Sequence, residues 1–258
     1  MRPGKARTPF WLVPVPMLVL VLVLAVVTGG CAPRLMAPGA AVGQPQITDD
    51  AFITADGQRL ALHAWLPDAP VEGSSGAKPK AVVLALHGFN DYGNFFDDPG
   101  DFLVQRGIAS YAYDQRGFGA NPNPGSWAGW RAYARDAADA LAALKRRHPA
   151  TPLYLLGSSM GGAVAMVALT DAGAPAVDGV ILAAPAVWGR LTMPYYMRAA
   201  LWLGAHTVPW MTLTGRGLGI VPSDNYEMLV RLGRDPKVIK ETRIGTLYGL
   251  VNLMDAAL

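Results

Sequence analysis

The sequence predicts one α/β domain: a doubly wound, mostly parallel sheet with helices on both faces. Three observations predict it. Four continuous apolar runs, Ala81 to Leu86, Ile108 to Tyr113, Leu153 to Leu156 and Val180 to Ala183, have the length and composition of strands buried on both sides. Helical patterns fall between them, and strand–helix alternation of this kind specifies parallel strands joined by crossovers. The 258 residues suffice for one sizeable core, with no internal repeat or composition break that would divide it.

The elements follow in order. Arg2, Lys5 and Arg7 precede an apolar run from Phe10 to Val27, and Gly29 and Gly30 come next. Basic start, apolar stretch and small residues form the pattern of a secretory signal. Thr28-Gly29-Gly30-Cys31 resembles a bacterial lipoprotein processing site, with the single cysteine, Cys31, as the point of lipid attachment and Thr28 where an aliphatic residue usually stands. An uncleaved anchor is the alternative, although Pro14 and Pro16 oppose a regular helix through the whole run. The expectation is a signal over 1–31 and a lipoprotein of the bacterial cell envelope held at the membrane, with a secreted or periplasmic protein as the other outcome. Past that segment nineteen Lys or Arg face nineteen Asp or Glu, so net charge gives no reason to expect a nucleic-acid partner. Residues 32–46, rich in Pro, Ala and Gly, read as a flexible tether, and the domain proper as 47–258. Ile47 to Thr54 and Leu60 to Leu66 read as antiparallel strands joined at Asp56-Gly57, and Val71 to Pro79 as a second flexible stretch. A long helix is predicted from Ser126, as N-cap, to about Arg147, with Tyr133, Ala137, Ala140, Leu141 and Leu144 on its buried face.

Gly157-Ser158-Ser159-Met160-Gly161 fits the pattern Gly-x-Ser-x-Gly. The strand Leu153 to Leu156 precedes it and a small-residue helix, Gly162 to Leu169, follows. A serine on a sharp turn between strand and helix stands clear of the sheet, with a helix N-terminus behind it to stabilise negative charge. Ser159 is therefore the candidate nucleophile, and Gly157 and Gly161 the residues that let the chain turn. A Ser/Gly turn capping a helix is the plainer alternative. His87-Gly88-Phe89 follows one buried strand and Tyr113-Asp114-Gln115-Arg116-Gly117-Phe118-Gly119 ends the next. Asp114 and Arg116 are expected to brace the second of these loops rather than to act chemically.

Taken with Ala183-Ala184-Pro185-Ala186, these motifs resemble, in order and position, the monoacylglycerol lipase/lysophospholipase branch of the α/β-hydrolases, also grouped with serine aminopeptidases. The likeness runs from about Thr54 to Leu258. It implies the α/β-hydrolase fold with a helical cap after the strand ending near Ala184, about 187–235. It implies a serine ester hydrolase acting through an acyl-enzyme on a monoacylglycerol, lysophospholipid or similar lipid, with no metal and no organic cofactor. Backbone N–H groups of Phe89 and Met160 would form the oxyanion hole. His87, beside Gly88, would brace that loop rather than act as base. The segment from Trp188 to Met211, dense in aromatic and Met residues, suits a lid over an apolar site.

The family's order is Ser, then Asp or Glu, then His. Ninety-nine residues follow Ser159; their only histidine, His206, lies inside the cap, and the tail from Ile244 reads as a helix. The expectation is a chain that stops short of the family's acid and histidine loops. Its sheet would lack the last strands, its solubility would be poor, and its esterase activity weak or nil, with His206 as the one substitute base. A lipid-binding lipoprotein without chemistry, or an inactive fragment of such a hydrolase, is the competing reading. An aminopeptidase or haloperoxidase on the same fold is a third.

Overall fold

The computed structural model describes residues 33, 35–67, 78–170, 173, 175–215 and 223–258. The signal-like segment with Cys31, and all but the last two residues of the stretch 71–79, lie outside the described residues. Seven strands form one sheet: β1 (Gln46–Ile47), β2 (Ala51–Ile53), β3 (Arg59–Trp65), β4 (Ala81–Leu86), β5 (Ile108–Tyr113), β6 (Leu153–Ser158) and β7 (Gly179–Ala183), in the order β1-β2-β3-β5-β4-β6-β7. The first three are antiparallel, β3 pairs antiparallel with β5, and β5, β4, β6 and β7 run parallel. Four apolar runs thus become the parallel half of the sheet.

Helices cover both faces. On one side α1 (Asp97–Val104) and a preceding 3-10 turn (Gly93–Phe96) pack over a small cluster of Val83, Ala85, Phe96 and Ala112. On the other lie α2 (Trp130–Arg147), α3 (Met160–Thr170) and, later in the chain, α6 (Ile244–Ala256), over the main core of Leu84, Leu86, Tyr111, Leu155 and their neighbours. Tyr133, Ala137, Ala140, Leu141 and Leu144 of α2 are all fully buried there, as their spacing predicts; each leucine stabilises the fold by roughly 2 kcal/mol through burial alone. Between β7 and α6 the chain builds α4 (Tyr195–Thr207), β8 (Thr212–Thr214), α5 (Tyr226–Arg234) and β9 (Glu241–Arg243).

Four local readings change. The stretch Ile47 to Thr54 is not one strand: Thr48 turns it back, its hydroxyl bonding both the Ala51 N–H and its C=O, so β1 and β2 pair with each other. Ser126 does not cap α2, which starts at Trp130 with Gly129 (φ 96°) as N-cap. Residues 126–129 stay extended because Trp127 is drawn into an aromatic cluster with Phe89 and Tyr133 and bridged by Leu35. The segment expected to be a helical cap, about 187–235, also holds a strand, β8, which pairs with β9 just beyond it. Finally, the chain read as a tether is pinned from Leu35 onward: Met36 donates to Trp127, Gly39 to the Asp56 carboxylate, and Val42 and Gly43 to Ala55.

Candidate active site

Ser159 sits between β6 and α3 in a left-handed conformation, φ 50°. A non-glycine residue there carries roughly 1–3 kcal/mol of strain. The surroundings hold it. The Ser159 N–H donates to Ala183 at 3.0 Å, and its carbonyl accepts from Gly162 at 3.0 Å and Ala186 at 2.9 Å. The flanking glycines have no room for a side chain. A Cβ on Gly157 would stand 2.4 Å from the Gly161 carbonyl oxygen, and one on Gly161 would stand 2.1 Å from that of Leu86. Strand β6 runs two residues further than its apolar stretch, to Ser158, and α3 begins at Met160 rather than Gly162, so one residue makes the turn.

The neighbouring strand brings up the second part. β4 pairs with β6 in the register Leu86 with Gly157, which sets the loop His87-Gly88-Phe89 beside Ser158-Ser159-Met160. Gly88 packs on the serine, its missing Cβ 3.5 Å from Ser159 Cβ. The Met160 N–H is the first of α3 and so has no intrahelical acceptor. Phe89 is fixed by edge-on ring contacts with Phe118 at 5.9 Å and Trp127 at 6.3 Å.

His87 is fully buried, and both ring nitrogens are engaged: Nδ1–H donates to the Gly88 carbonyl at 2.8 Å and Nε2 accepts from the Gln115 N–H at 2.9 Å. The Gln115 side chain returns a bond to the His87 carbonyl at 3.0 Å. Burial pulls the His87 pKa down to about 4, so the ring is neutral. Asp114 accepts from the backbone of Gly93 and Ala120, both at 2.8 Å, and from His63 at 3.1 Å. Burial acts to raise its pKa, but those bonds prevail and hold it below the usual carboxylate value. Arg116 bonds Asp136 through Nε at 2.6 Å and reaches Asp56 with two further bonds. Both side chains of the second loop are thus committed to structure. The other histidines are engaged elsewhere as well: His148 with the Tyr111 hydroxyl at 2.9 Å, His206 with its own helix through the Trp202 carbonyl at 2.7 Å. All four histidines are accounted for away from Ser159.

A cavity of about 320 Å3 opens beside the turn, with Ser158, Asp91, Phe95, Met228, Leu232 and Asp235 in its wall. A larger one of about 510 Å3, between α2, α3 and the end of α6, is lined by Trp130, Arg131, Arg135 and Val167 and does not include the turn.

Two features went unread in the sequence. Asn90 (φ 66°) and Ala184 (φ 44°) share the left-handed conformation of Ser159, so non-glycine strain gathers at the C-terminal ends of β4, β6 and β7. No residue type announces this, because Asn and Ala there follow no pattern. Asn90 also ties the loop after β4 to the segment beyond α5: its carbonyl accepts from Ile239 at 2.9 Å and its side-chain amide donates to Thr242 at 2.6 Å. Tyr92 adds a bond from its hydroxyl to Asp235 at 2.7 Å. Those pairs lie more than 140 residues apart in sequence.

Residues 77–258 match the family described as serine aminopeptidase, S33. The monoglyceride lipase of Homo sapiens is 28% identical over 138 residues, covering 53% of this chain and 42% of that protein. The monoacylglycerol lipase of Mycolicibacterium smegmatis is 26% identical over 124 residues, covering 45% and 39%. The chain spans less than half the length of these curated relatives. Among solved structures, a lipase in its open form superposes with a TM-score of 0.61 at 19% identity, over 81% of this chain and 73% of that one. A soluble variant of the monoglyceride lipase of Saccharomyces cerevisiae, bound to a substrate analogue, gives 0.57 at 20% identity, over 86% and 71%. At such identities the superpositions speak for the fold. Sheet order, elbow and family match agree: the chain is a monoglyceride-lipase-like α/β-hydrolase and belongs to the serine aminopeptidase S33 family.

Proposed function

We propose that the protein hydrolyses carboxylic esters of lipid-like substrates, monoacylglycerols or lysophospholipids, through an acyl-enzyme on Ser159. The observation that carries this reading is the strained Ser159 between two glycines without room for a Cβ, faced by the loop after β4. In the proposed reaction the Ser159 oxygen adds to the ester carbonyl as its O–H bond breaks, and the proton leaves with the departing alcohol. The N–H groups of Phe89 and Met160 donate hydrogen bonds to the negative charge that gathers on the carbonyl oxygen. Collapse of the adduct expels the alcohol, and water then releases the acid. The names of the relatives, monoglyceride and monoacylglycerol lipases, support the monoacylglycerol part of this reading. A lipid-binding role without turnover is the second reading, favoured by one observation: His63, His87, His148 and His206 each bond groups other than Ser159.

A fluorophosphonate probe separates the two. Hydrolase chemistry requires covalent labelling mapped to Ser159 and absent from Ser159→Ala. A chain that stays unlabelled while still binding a fluorescent monoacylglycerol analogue belongs to the second reading, and labelling that survives Ser159→Ala removes Ser159 from the mechanism.

A further inference from the structure

The loop after β4 is gripped from two sides, and the Phe89 N–H lies between the grips. Toward β5, the His87 ring holds the Gly88 carbonyl and the Gln115 N–H. On the other side the loop reaches the chain between α5 and α6, where Asn90 meets Ile239 and Thr242, and Tyr92 meets Asp235. Thr242 is the middle residue of β9 and stands opposite Leu213 of β8, so the hairpin anchors this second grip. The Phe89 N–H itself has no acceptor among the described residues.

Asn90 is where the chain turns directly after Phe89. Its φ of 66° lies in the left-handed region, which asparagine adopts more readily than most side chains. Its amide oxygen is buried without a partner, so among the described residues the bond to the Thr242 hydroxyl is the one that orients this side chain. A donor to an oxyanion acts by standing already fixed where the charge will develop. Displacing such a group by about 1 Å can slow a reaction about 100-fold. The cavity beside the turn spans the same joint. Asp91, Asn94 and Phe95 come to its wall from the β4 side, and Met228, Leu232 and Asp235 from α5 and its end. A ligand in that space touches both partners of the grip.

We propose that Asn90 is a positioning residue: through its bond to Thr242 the β8–β9 hairpin fixes the Phe89 N–H in the oxyanion hole. The chain between α5 and α6 then governs how fast Ser159 is acylated rather than how tightly the ligand is held. This inference rests on the reading of Ser159 as the nucleophile and of the Phe89 N–H as an oxyanion donor.

The test is the labelling of Ser159 in the full chain by a fluorophosphonate, whose phosphoryl oxygen stands in for the carbonyl oxygen. Its kinetics are read as a limiting rate and a half-saturating concentration. Asn90→Gly keeps the left-handed turn and removes the amide; Thr242→Val keeps the side chain's shape and removes the hydroxyl. Each should lower the limiting rate about tenfold and leave the half-saturating concentration within about twofold of the parent's. The double variant should be no slower than the slower single one, because both remove the same bond. Thr242→Ser, which restores the hydroxyl, should recover most of the rate. An unchanged limiting rate in either single variant, a loss confined to the half-saturating concentration, additive losses in the double variant, or no recovery in Thr242→Ser overturns the inference. A parent chain that stays unlabelled instead removes Ser159 as nucleophile, and this inference falls with it.

Discussion

His87 carries the clearest electrostatic consequence of any single residue. Its buried ring is neutral in the folded protein, with a pKa near 4, against 6.5 for a free side chain. Between those values the unfolded chain binds a proton that the folded one refuses. Stability from this group is therefore complete above pH 6.5 and lost as the pH falls toward 4, by roughly 3 kcal/mol in total. Urea midpoints measured from pH 7 to pH 4 should fall accordingly. In His87→Gln, which keeps a donor and an acceptor but does not titrate, that slope should flatten by about one proton, at the cost of a lower stability at pH 7. An unchanged slope in the variant would mean that acid sensitivity resides in other groups. The same ring shows why a histidine next to a glycine-flanked loop can look like a base in sequence and be something else in the fold. Its Nε2, the atom a base would use, already holds the Gln115 N–H.

At the scale of elements, Arg116 joins three that are distant in the chain. Its guanidinium bonds Asp136 on α2, and both Asp56 and Gln58 in the β2–β3 turn, while its own backbone carbonyl accepts from the Tyr133 hydroxyl. The bond from Arg116 holds the Asp56 carboxyl well below the usual carboxylate range; burial pushes Asp136 up despite the same partner. Removing the cation would leave Asp136 buried with an uncompensated charge, so Arg116→Ala should cost about 3–5 kcal/mol. Arg116→Lys should recover less than half of this, because one ammonium cannot span two carboxylates. Guanidinium denaturation of the three proteins checks both figures, and a near-neutral Arg116→Ala would show the network to be dispensable. This network also marks the limit of what the sequence discloses. The parallel strands were legible because burial on both faces demands unbroken apolar runs, and the serine turn because glycine at two fixed positions has a steric cause. The hairpin of β8 and β9 was not. Each strand has three residues, Thr-Leu-Thr and Glu-Thr-Arg, too short and too polar to show a period, and 26 residues separate them in the sequence. The start of α2 was misread for a related reason: Ser126 has the chemistry of a cap, but the ring of Trp127 is worth more to the core than one more helical turn.

For the whole molecule the decisive feature is asymmetry between the two sheet edges. At one edge β1 is two residues long, which gives another chain little to pair with. At the other, β7 presents five residues, and Val180, Ile181 and Leu182 are 41–49% accessible although they occupy a parallel strand that reads as buried on both faces. Among the described residues its main chain is paired with β6 on one side only. An apolar strand with no second strand beside it among the described residues is a template for further strand pairing, and here both of its faces reward it. In solution the chain of 258 residues should associate through β7. A lysine at the middle of the strand, Ile181→Lys, places a charge that a paired strand would have to bury, and should lower the mass measured by light scattering. A mass that does not change with Ile181→Lys would mean that β7 is shielded by contacts of another kind.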